Sequence, residues 1–228
     1  MSTSALIQKL YFSSLFGSIF HTLNCCLKKE LANCQTVLDL GCGPNSPIKH
    51  IPGIKSSTGV EAFKPYLIES QKNKIHTKYI HSKIKDLKFS PKSFDAVLLI
   101  EVIEHLPRKE GLKIIKKSEK WSKKKVIISS PNGFLAQEPV DNNPYQKHLS
   151  GWSHQKMKSL GYKTRGLAGL KFLRQKSESN TMGDDILVSI RYKPKFFWFI
   201  IATLSQLITH FFPSLAFGLF CVKNTQKK

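Results

Sequence analysis

The chain reads Val37-Leu38-Asp39-Leu40-Gly41-Cys42-Gly43-Pro44 where a short apolar stretch ends in a loop with two glycines. This pattern predicts a buried β-strand that is followed by a tight loop. Glycine permits a positive φ and leaves no side chain between the backbone and a ligand. Because ligands of open α/β sheets bind beyond the carboxyl ends of the strands, the segment predicts a nucleotide-like ligand against this loop.

A second short strand is predicted over residues 57–61, and it ends in the carboxylate of Glu61. An acid at this place accepts hydrogen bonds from ribose hydroxyls. The loop after the first strand lacks the third glycine of the dinucleotide fingerprint and the Gly-Lys-Ser/Thr ending of a phosphate loop. Together these features favour an adenosine ligand that carries no phosphate.

Two further motifs follow in order, because Ser93-Phe94-Asp95-Ala96-Val97 leads into Glu101-Val102-Ile103-Glu104-His105-Leu106. With the glycine loop and Glu61, they resemble the class I S-adenosylmethionine-dependent methyltransferases of the type 11 kind, from roughly residue 30 to 170. The resemblance implies an α/β fold: a Rossmann-like doubly wound sheet, mostly parallel with an antiparallel last strand, and helices on both faces. The alternative is an ordinary α/β domain with a glycine turn.

The resemblance also implies S-adenosylmethionine as cofactor and a set of residues that bind it. These predicted cofactor-binding residues are Asp39, Gly41, Cys42, Gly43, Glu61, Asp86 and Glu101. The two glycines would let the backbone approach the amino-acid end of the cofactor, which Asp39 would contact directly or through water. Glu61 would hold the ribose hydroxyls.

The adenine end departs from the family pattern. In relatives an acid after the third strand meets the adenine amino group, whereas here Lys83 occupies that place. Either Asp86, three residues later, takes this role, or backbone groups alone hold the adenine. Lys83 also keeps open a protein that retains the fold without catalysis.

The predicted catalytic residues are Glu104, His105 and His148, and Glu101 and Asn132 join them on the acceptor side. Carboxylates and imidazoles could hold a divalent cation such as magnesium, as in the ubiquinone-pathway and small-RNA 3′-terminal O-methyltransferases that this cluster resembles. Because the same motif also occurs in methyltransferases without a metal, a divalent metal is not favoured and no ligand to it is assigned. The histidines titrate near neutrality and are candidate bases, or are structural.

Charge and cysteine content bear on partners and compartment. The net charge is +21, which attracts nucleic acid or anionic lipid. The lysines are spread widely, so general lysine richness is the slightly preferred interpretation. The five cysteines form no CxxC pair, which indicates reduced thiols and a cytoplasmic protein.

Residues 1–30 are predicted to form an N-terminal helical cap, and residues 31–228 form the methyltransferase domain. Residues 196–222 carry no formal charge and are long enough to span a bilayer. Polar residues at helical spacing and Pro213 instead favour a helix followed by a closing strand. The segment could also attach a cytoplasmic protein to a membrane surface.

The sequence therefore predicts an enzyme that transfers a methyl group to a small-molecule, lipid or saccharide acceptor. The alternatives are a metal-assisted RNA 2′-O-methyltransferase and a non-catalytic protein with the same fold. The expected partners are a small-molecule or lipid acceptor and an anionic membrane surface. Nucleic acid is expected less, because no RNA-binding module is recognisable in the sequence.

Overall fold

The computed structural model describes residues 13–175 and 189–226. Its seven strands are Thr36–Leu40 (β1), Ser56–Glu61 (β2), Lys78–His81 (β3), Phe94–Ile100 (β4), Ser122–Pro131 (β5), Lys163–Leu170 (β6) and Ala216–Asn224 (β7). They form one sheet in the order β3-β2-β1-β4-β5-β7-β6. Strand β7 is antiparallel to both of its neighbours, and every other neighbouring pair is parallel. The Rossmann-like fold predicted from the sequence is confirmed.

The helices of the described residues are Ser14–Phe20 (α1), Leu23–Leu31 (α2), Lys64–Lys72 (α3), Arg108–Trp121 (α4), His154–Ser159 (α5) and Lys195–Thr209 (α6). The central strands send alternate side chains into two separate apolar clusters. In β1, Leu38 and Leu40 join a cluster with residues of α4 and α5, while Val37 joins a cluster with residues of α2. This period of two on a strand buried on both faces is the pattern of a doubly wound sheet.

Strand order reverses between β1 and β4, which lie side by side at the centre of the sheet although β2 and β3 intervene in the sequence. Connections leave such neighbours in opposite directions, so a crevice opens beyond their carboxyl ends. The Gly41 loop follows β1, and Glu101 follows β4. The topology therefore brings two of the predicted motifs to the same place.

The C-terminal segment divides into helix α6, a short 3₁₀ turn at Pro213–Leu215 and strand β7. Helix α6 packs on β6, where Gln206 Nε2 donates to the Gly166 carbonyl at 2.9 Å and Gln206 Oε1 accepts from Gly169 N–H at 2.7 Å. The polar side chains that interrupt the apolar run are therefore buried against the sheet.

This arrangement corrects one prediction. The sequence suggested that residues 196–222 could attach a cytoplasmic protein to a membrane. The predicted membrane attachment is wrong. Within residues 13–175 and 189–226, none of the helices combines the length and apolarity that a bilayer crossing requires. Helix α6 ends at Thr209, four residues before Pro213, and most of the remainder of the segment forms strand β7 of the sheet. Of the predicted N-terminal cap, residues 1–12 lie outside the described residues.

Candidate cofactor and acceptor site

A cavity of about 600 Å³ lies beyond the carboxyl ends of the central strands. Of the residues predicted from the sequence, those that line it are Asp39, Gly41, Cys42, Gly43, Glu61, Glu101, Glu104, His105 and His148. Asp86 and Asn132 are not among its lining residues. The cavity is within the range of pockets that bind cofactor-sized ligands.

The loop after β1 forms one wall of this cavity, and its shape depends on glycine. The N–H groups of Gly41 and Cys42 donate to the Val60 carbonyl at 2.8 and 3.0 Å, which ties the loop to β2. Gly41 has a φ of +67°, and a Cβ there would lie 2.8 Å from Val102 Cγ2. Gly43 has a φ of +57° but meets no atom within 4 Å, so open space remains for a ligand to approach its backbone.

Asp39 lies beneath this loop and is almost fully buried. Its Oδ2 accepts a hydrogen bond from Ser46 Oγ at 2.6 Å and lies 3.4 Å from His76 Nε2. Burial raises the pKa of Asp39 to about 7 and lowers the pKa of His76 to about 4. Because His76 is neutral at neutral pH, the contact is not an ion pair there.

Glu61, at the end of β2, is buried and holds two loops together. Its Oε2 accepts from Gly43 N–H at 3.0 Å, and its Oε1 accepts from Phe63 N–H at 2.8 Å. Burial raises its pKa, and these backbone hydrogen bonds act in the opposite direction. Since each carboxylate oxygen has a second lone pair, the group can still accept hydrogen bonds from two vicinal hydroxyls.

Lys83 and Asp86, the two residues considered for the adenine end, lie in different places. Lys83 and Ile84 line the cavity, and Lys83 Nζ lies 5.9 Å from the centre of the Tyr145 ring. Asp86 is exposed at the end of a 3₁₀ turn, Ile84–Asp86, outside the cavity. The turn separates Asp86 from the cofactor side, so this geometry does not support its predicted contact with adenine.

Two carboxylates lie at the opposite end of the cavity. Glu104 belongs to the 3₁₀ turn Ile103–His105 and is 2% exposed, and both of its carboxylate oxygens are buried without a hydrogen-bond partner among the described residues. Burial, and then the charge of Glu101, raises the pKa of Glu104 well above its ordinary value. Glu101 accepts a hydrogen bond from Ser129 Oγ at 2.7 Å and has a φ of +53°, a left-handed conformation that is uncommon for a side chain of this kind.

Two histidines complete this end of the cavity. His148 Nδ1 lies 2.6 Å from the Leu135 carbonyl, and His105 Nδ1 lies 3.3 Å from the Lys147 carbonyl. Because a carbonyl only accepts, each Nδ1 that contacts one carries a proton. Burial lowers the pKa of His105 to about 4, and the ring centres are 4.7 Å apart.

Glu104, His105 and His148 form a compact donor set. One ligand atom from each residue lies within 4.8 Å of those of the other two. The loop that carries His148 is anchored on the backbone of Glu104, whose carbonyl accepts from Leu149 N–H at 2.7 Å and Ser150 N–H at 3.0 Å. The three residues predicted to be catalytic are therefore brought together by main-chain contacts.

Asn132 has a different place from the one expected on the acceptor side. Its Nδ2 donates to the carbonyls of Pro213 and Ala216, both at 2.9 Å, and its Oδ1 accepts from His154 N–H at 3.1 Å. These contacts join the end of β5 to β7 and α5. Asn132 therefore braces the sheet and is not part of the cavity wall.

Some residues that shape the site have no signal in the sequence. His76 precedes β3 and reaches Asp39 from across the sheet, and Ser129 reaches Glu101 from β5. Their distance along the chain hides these contacts. The Leu135 carbonyl, which orients His148, is a backbone group and cannot be found from residue type.

Comparison with known proteins agrees with this geometry. Residues 38–128 match the family model of a methyltransferase domain. A search of curated proteins gave no match. The match begins within β1 and ends within β5, and it therefore contains the glycine loop, Glu61 and the Glu101–His105 motif.

Several solved structures share the fold at low sequence identity. The plantazolicin methyltransferase BpumL, in complex with S-adenosylhomocysteine, is 13% identical with a TM-score of 0.54, covering 98% of this chain and 90% of that one. The methyltransferase domain of bacterial CtHen1 is 18% identical with a TM-score of 0.51, covering 93% and 97%. A complex of the Haloferax volcanii Trm112 methyltransferase activator with its proposed methyltransferase is 14% identical with a TM-score of 0.55, covering 97% and 98%.

These likenesses establish the fold. The segment that matches the family model contains the sequence motifs whose residues line the cavity. Residues 38–128 are therefore similar to a methyltransferase domain, and the solved methyltransferase structures share the fold of this chain.

Proposed function

We propose that this protein transfers the methyl group of S-adenosylmethionine to a hydroxyl oxygen of a small-molecule, lipid or saccharide acceptor, with a divalent cation at the acceptor end. The observation that carries the proposal is the buried carboxylate of Glu104, which lacks a hydrogen-bond donor among the described residues. A buried polar group without a partner is costly, so a ligand that satisfies it is favoured.

The cofactor end is suited to S-adenosylmethionine by the arrangement of its polar groups. The open space over Gly43 admits the amino-acid end, and the Glu61 carboxylate accepts from the ribose hydroxyls. The protein's main contribution to such a reaction is to hold the two reactants in line and exclude water. Leu135, Leu149 and Phe217 line the cavity and supply apolar surface for this purpose.

The donor set at the acceptor end fits a cation. Glu104 offers carboxylate oxygen, and His105 and His148 offer imidazole nitrogen with the other ring nitrogen held by a backbone carbonyl, as ligating histidines usually are. Two imidazoles beside a carboxylate suit a first-row ion such as Mn²⁺ better than Mg²⁺, which prefers oxygen ligands throughout. A bound cation would lower the pKa of an acceptor hydroxyl.

The transfer itself is an in-line displacement. A lone pair of the acceptor oxygen forms the new bond to the methyl carbon, the carbon–sulfur bond breaks, and its electron pair remains on sulfur to give S-adenosylhomocysteine. The proton of the acceptor hydroxyl passes to solvent. The raised pKa of Glu104 favours its protonated form, and cation binding would displace that proton.

Calorimetric titration tests both halves of the proposal. The wild-type protein is titrated with S-adenosylmethionine and S-adenosylhomocysteine, and separately with Mn²⁺ and Mg²⁺, in buffers of different ionisation enthalpy. We expect saturable cofactor binding, and Mn²⁺ binding that releases a proton. Glu104→Gln should weaken Mn²⁺ binding by about tenfold or more, since a ligand charge is removed. Glu69→Gln, an exposed position on α3, is the matched control.

Two outcomes would contradict the proposal. Equal Mn²⁺ affinity in wild type and Glu104→Gln would exclude this donor set as the cation site. Failure to bind either cofactor, with or without the cation, would remove the enzyme assignment. Methyl transfer to a panel of phenols, sugars and lipid headgroups then identifies the acceptor.

A metal-assisted RNA 2′-O-methyltransferase is the second candidate, and the net charge of +21 favours it. Binding of RNA through its phosphates weakens steeply with salt. A labelled single-stranded RNA titrated at two salt concentrations distinguishes the candidates. Tight, salt-sensitive binding together with 2′-O-methylation supports the RNA candidate, and methylation of a small hydroxyl acceptor alone supports the first.

A further inference from the structure

A second cavity, of about 260 Å³, lies between helix α2, strand β6 and the end of helix α6. Its lining residues are His21, Cys26, Lys29, Glu30, Arg165, His210, Phe211 and Phe220. None of them lines the cofactor cavity. The proposed methyl transfer therefore leaves this cavity without a role.

The cavity has an excess of positive charge. Lys29 and Arg165 form no salt bridge within the part of the chain that the structure describes. Glu30, the acid of the set, is held by Lys125, with Lys125 Nζ 2.9 Å from Glu30 Oε2. Two cations therefore face a concave surface whose negative charge is already neutralised.

Two stacked histidines form part of the same wall. The rings of His21 and His210 are 3.9 Å apart between centres and inclined by 17°. His210 is 4% exposed, and its Nδ1 is buried with no hydrogen-bond partner among residues 13–175 and 189–226. His21 ends helix α1 with a φ of +49°, a left-handed residue that fixes the direction of its ring. An unsatisfied buried nitrogen next to two cations indicates a missing negatively charged partner.

The electrostatic state of His210 agrees with this view. Burial, followed by the charges of His21 and Arg165, lowers its pKa to about 4, although the carbonyl of Gly166 acts in the opposite direction. Burial, reinforced by the neighbouring positive charges, thus disfavours the protonated ring. An anion between Arg165 and His210 would reverse that balance, because an opposite charge favours the protonated ring.

We propose that this cavity binds the phosphate group of a small molecule, with the Arg165 guanidinium, the Lys29 ammonium and a protonated His210 Nδ1 as its donors. The guanidinium fork matches two phosphate oxygens, and the ammonium adds a point charge. A volume of about 260 Å³ accommodates phosphate with a small substituent and falls below the roughly 300–1,000 Å³ of pockets for larger ligands.

Binding is linked to pH in this arrangement. The ionisable groups that face His210 are His21, Cys26, Lys29, Glu30 and Arg165. Phosphate favours the protonated form of the ring, so the complex takes up a proton and its affinity rises as pH falls towards the range where His210 titrates. Sulfate keeps its double charge over this range, so it separates the titration of the protein from that of phosphate.

The test is an NMR titration of the full chain that follows the histidine Cε1–H signals. Those of His21 and His210 are assigned with His21→Asn and His210→Asn. Inorganic phosphate and sulfate are added at constant ionic strength against chloride. We expect saturable shifts in both signals, with sulfate binding several-fold tighter at pH 6 than at pH 8. Arg165→Gln should weaken phosphate binding by about tenfold or more, as loss of charge-assisted hydrogen bonds implies.

Lys163→Gln is the matched control, because it removes the same charge from an exposed position on the same strand but outside the cavity. Equal weakening by both variants, or shifts that do not saturate, would overturn the proposal. Unchanged S-adenosylmethionine affinity and melting temperature show that Arg165→Gln is folded. A titration with glycerol phosphate identifies the source: tighter binding than inorganic phosphate indicates a phosphomonoester, equal binding indicates free phosphate, and both support the site.

Discussion

The carboxylates at the two ends of the 600 Å³ cavity differ in the hydrogen-bond donors that surround them. At the cofactor end, Glu61 accepts from the N–H groups of Gly43 and Phe63, and Asp39 accepts from Ser46. At the acceptor end, Glu104 has no donor among the described residues. The protein itself supplies hydrogen-bond donors to the carboxylates at the cofactor end. The carboxylate at the acceptor end requires a ligand to supply its partner.

The difference shows where ligand binding alters the protein most. A satisfied polar network is rigid and preorganised, so the cofactor end gains little order from its ligand. An unsatisfied buried carboxylate destabilises the fold until a cation or a proton neutralises it. We therefore expect the cofactor end to be sensitive to backbone changes and the acceptor end to be sensitive to charge and pH.

The largest effect is expected from Gly41→Ala at the cofactor end. The positive φ and the 2.8 Å approach to Val102 Cγ2 should together destabilise the protein by about 2–4 kcal/mol. Gly43→Ala meets no neighbour, so strain alone should cost about 1 kcal/mol, but cofactor affinity should fall because the added methyl enters the open space. Thermal unfolding with and without S-adenosylmethionine measures both. Normal cofactor affinity in Gly43→Ala would show that the open space is not used.

The next effect is the loss of a charged acceptor at Glu61. Glu61→Ala removes the proposed ribose acceptor and releases two backbone N–H groups. It should weaken S-adenosylmethionine binding by about 10- to 100-fold, as for hydrogen bonds to a charged group. Glu61→Gln keeps the shape and should lose less. Calorimetry gives both affinities, and an unchanged value in the alanine variant would remove the ribose assignment.

A smaller effect is expected at the acceptor end, where a substitution should raise the thermal stability. The raised pKa of Glu104 means that its contribution to stability is fully present below its ordinary pKa of 4.5 and is lost as pH rises through the folded-state value. Glu104→Gln has no charge to bury, so without ligands it should melt above wild type by at least about 2 °C at pH 8, the shift that roughly 1 kcal/mol gives in a chain of this size. The two should converge near pH 4.

Saturating Mn²⁺ should reverse this order, because it stabilises only the protein that binds it. Thermal unfolding across pH 4–8, with and without the ion, makes the comparison. A glutamine variant that melts below wild type at pH 8 without ligands would mean that Glu104 is satisfied after all.

The smallest effect is expected outside the cavity. Asp86 is exposed and does not line the cofactor end, so Asp86→Asn should change S-adenosylmethionine affinity by less than about twofold, as is usual for a surface position. A loss comparable to that of Glu61→Ala, measured in the same titration, would bring Asp86 back to the adenine.

The two ends also differ in how far the sequence predicts them. The cofactor end is local: Gly41, Gly43 and Glu61 follow the first two strands directly, and residue type alone specifies a tight turn and an acid. Strand β2 ends at Glu61 as predicted for the same reason, since periodicity and flanking turns are local signals.

The acceptor end is assembled from distant parts of the chain. The sequence suggests that Glu104, His105 and His148 belong together, but it does not show that the Glu104 carboxylate lacks a donor or that carbonyls orient both histidines. Residue type also does not reveal the direction of a side chain, as Asn132 and Asp86 illustrate. Asn132 turns towards β7 and α5, and the 3₁₀ turn carries Asp86 to the surface.

The left-handed backbone of Glu101 has a consequence for the evolution of this chain. Glycine is the residue that adopts this conformation without cost, and stability alone would select it at position 101. A glutamate there sacrifices folding free energy to keep a carboxylate at the edge of β4. We therefore expect a screen for thermal resistance to recover Glu101→Gly and a screen for methyl transfer to lose it. Position 101 thus reflects a trade-off between stability and activity.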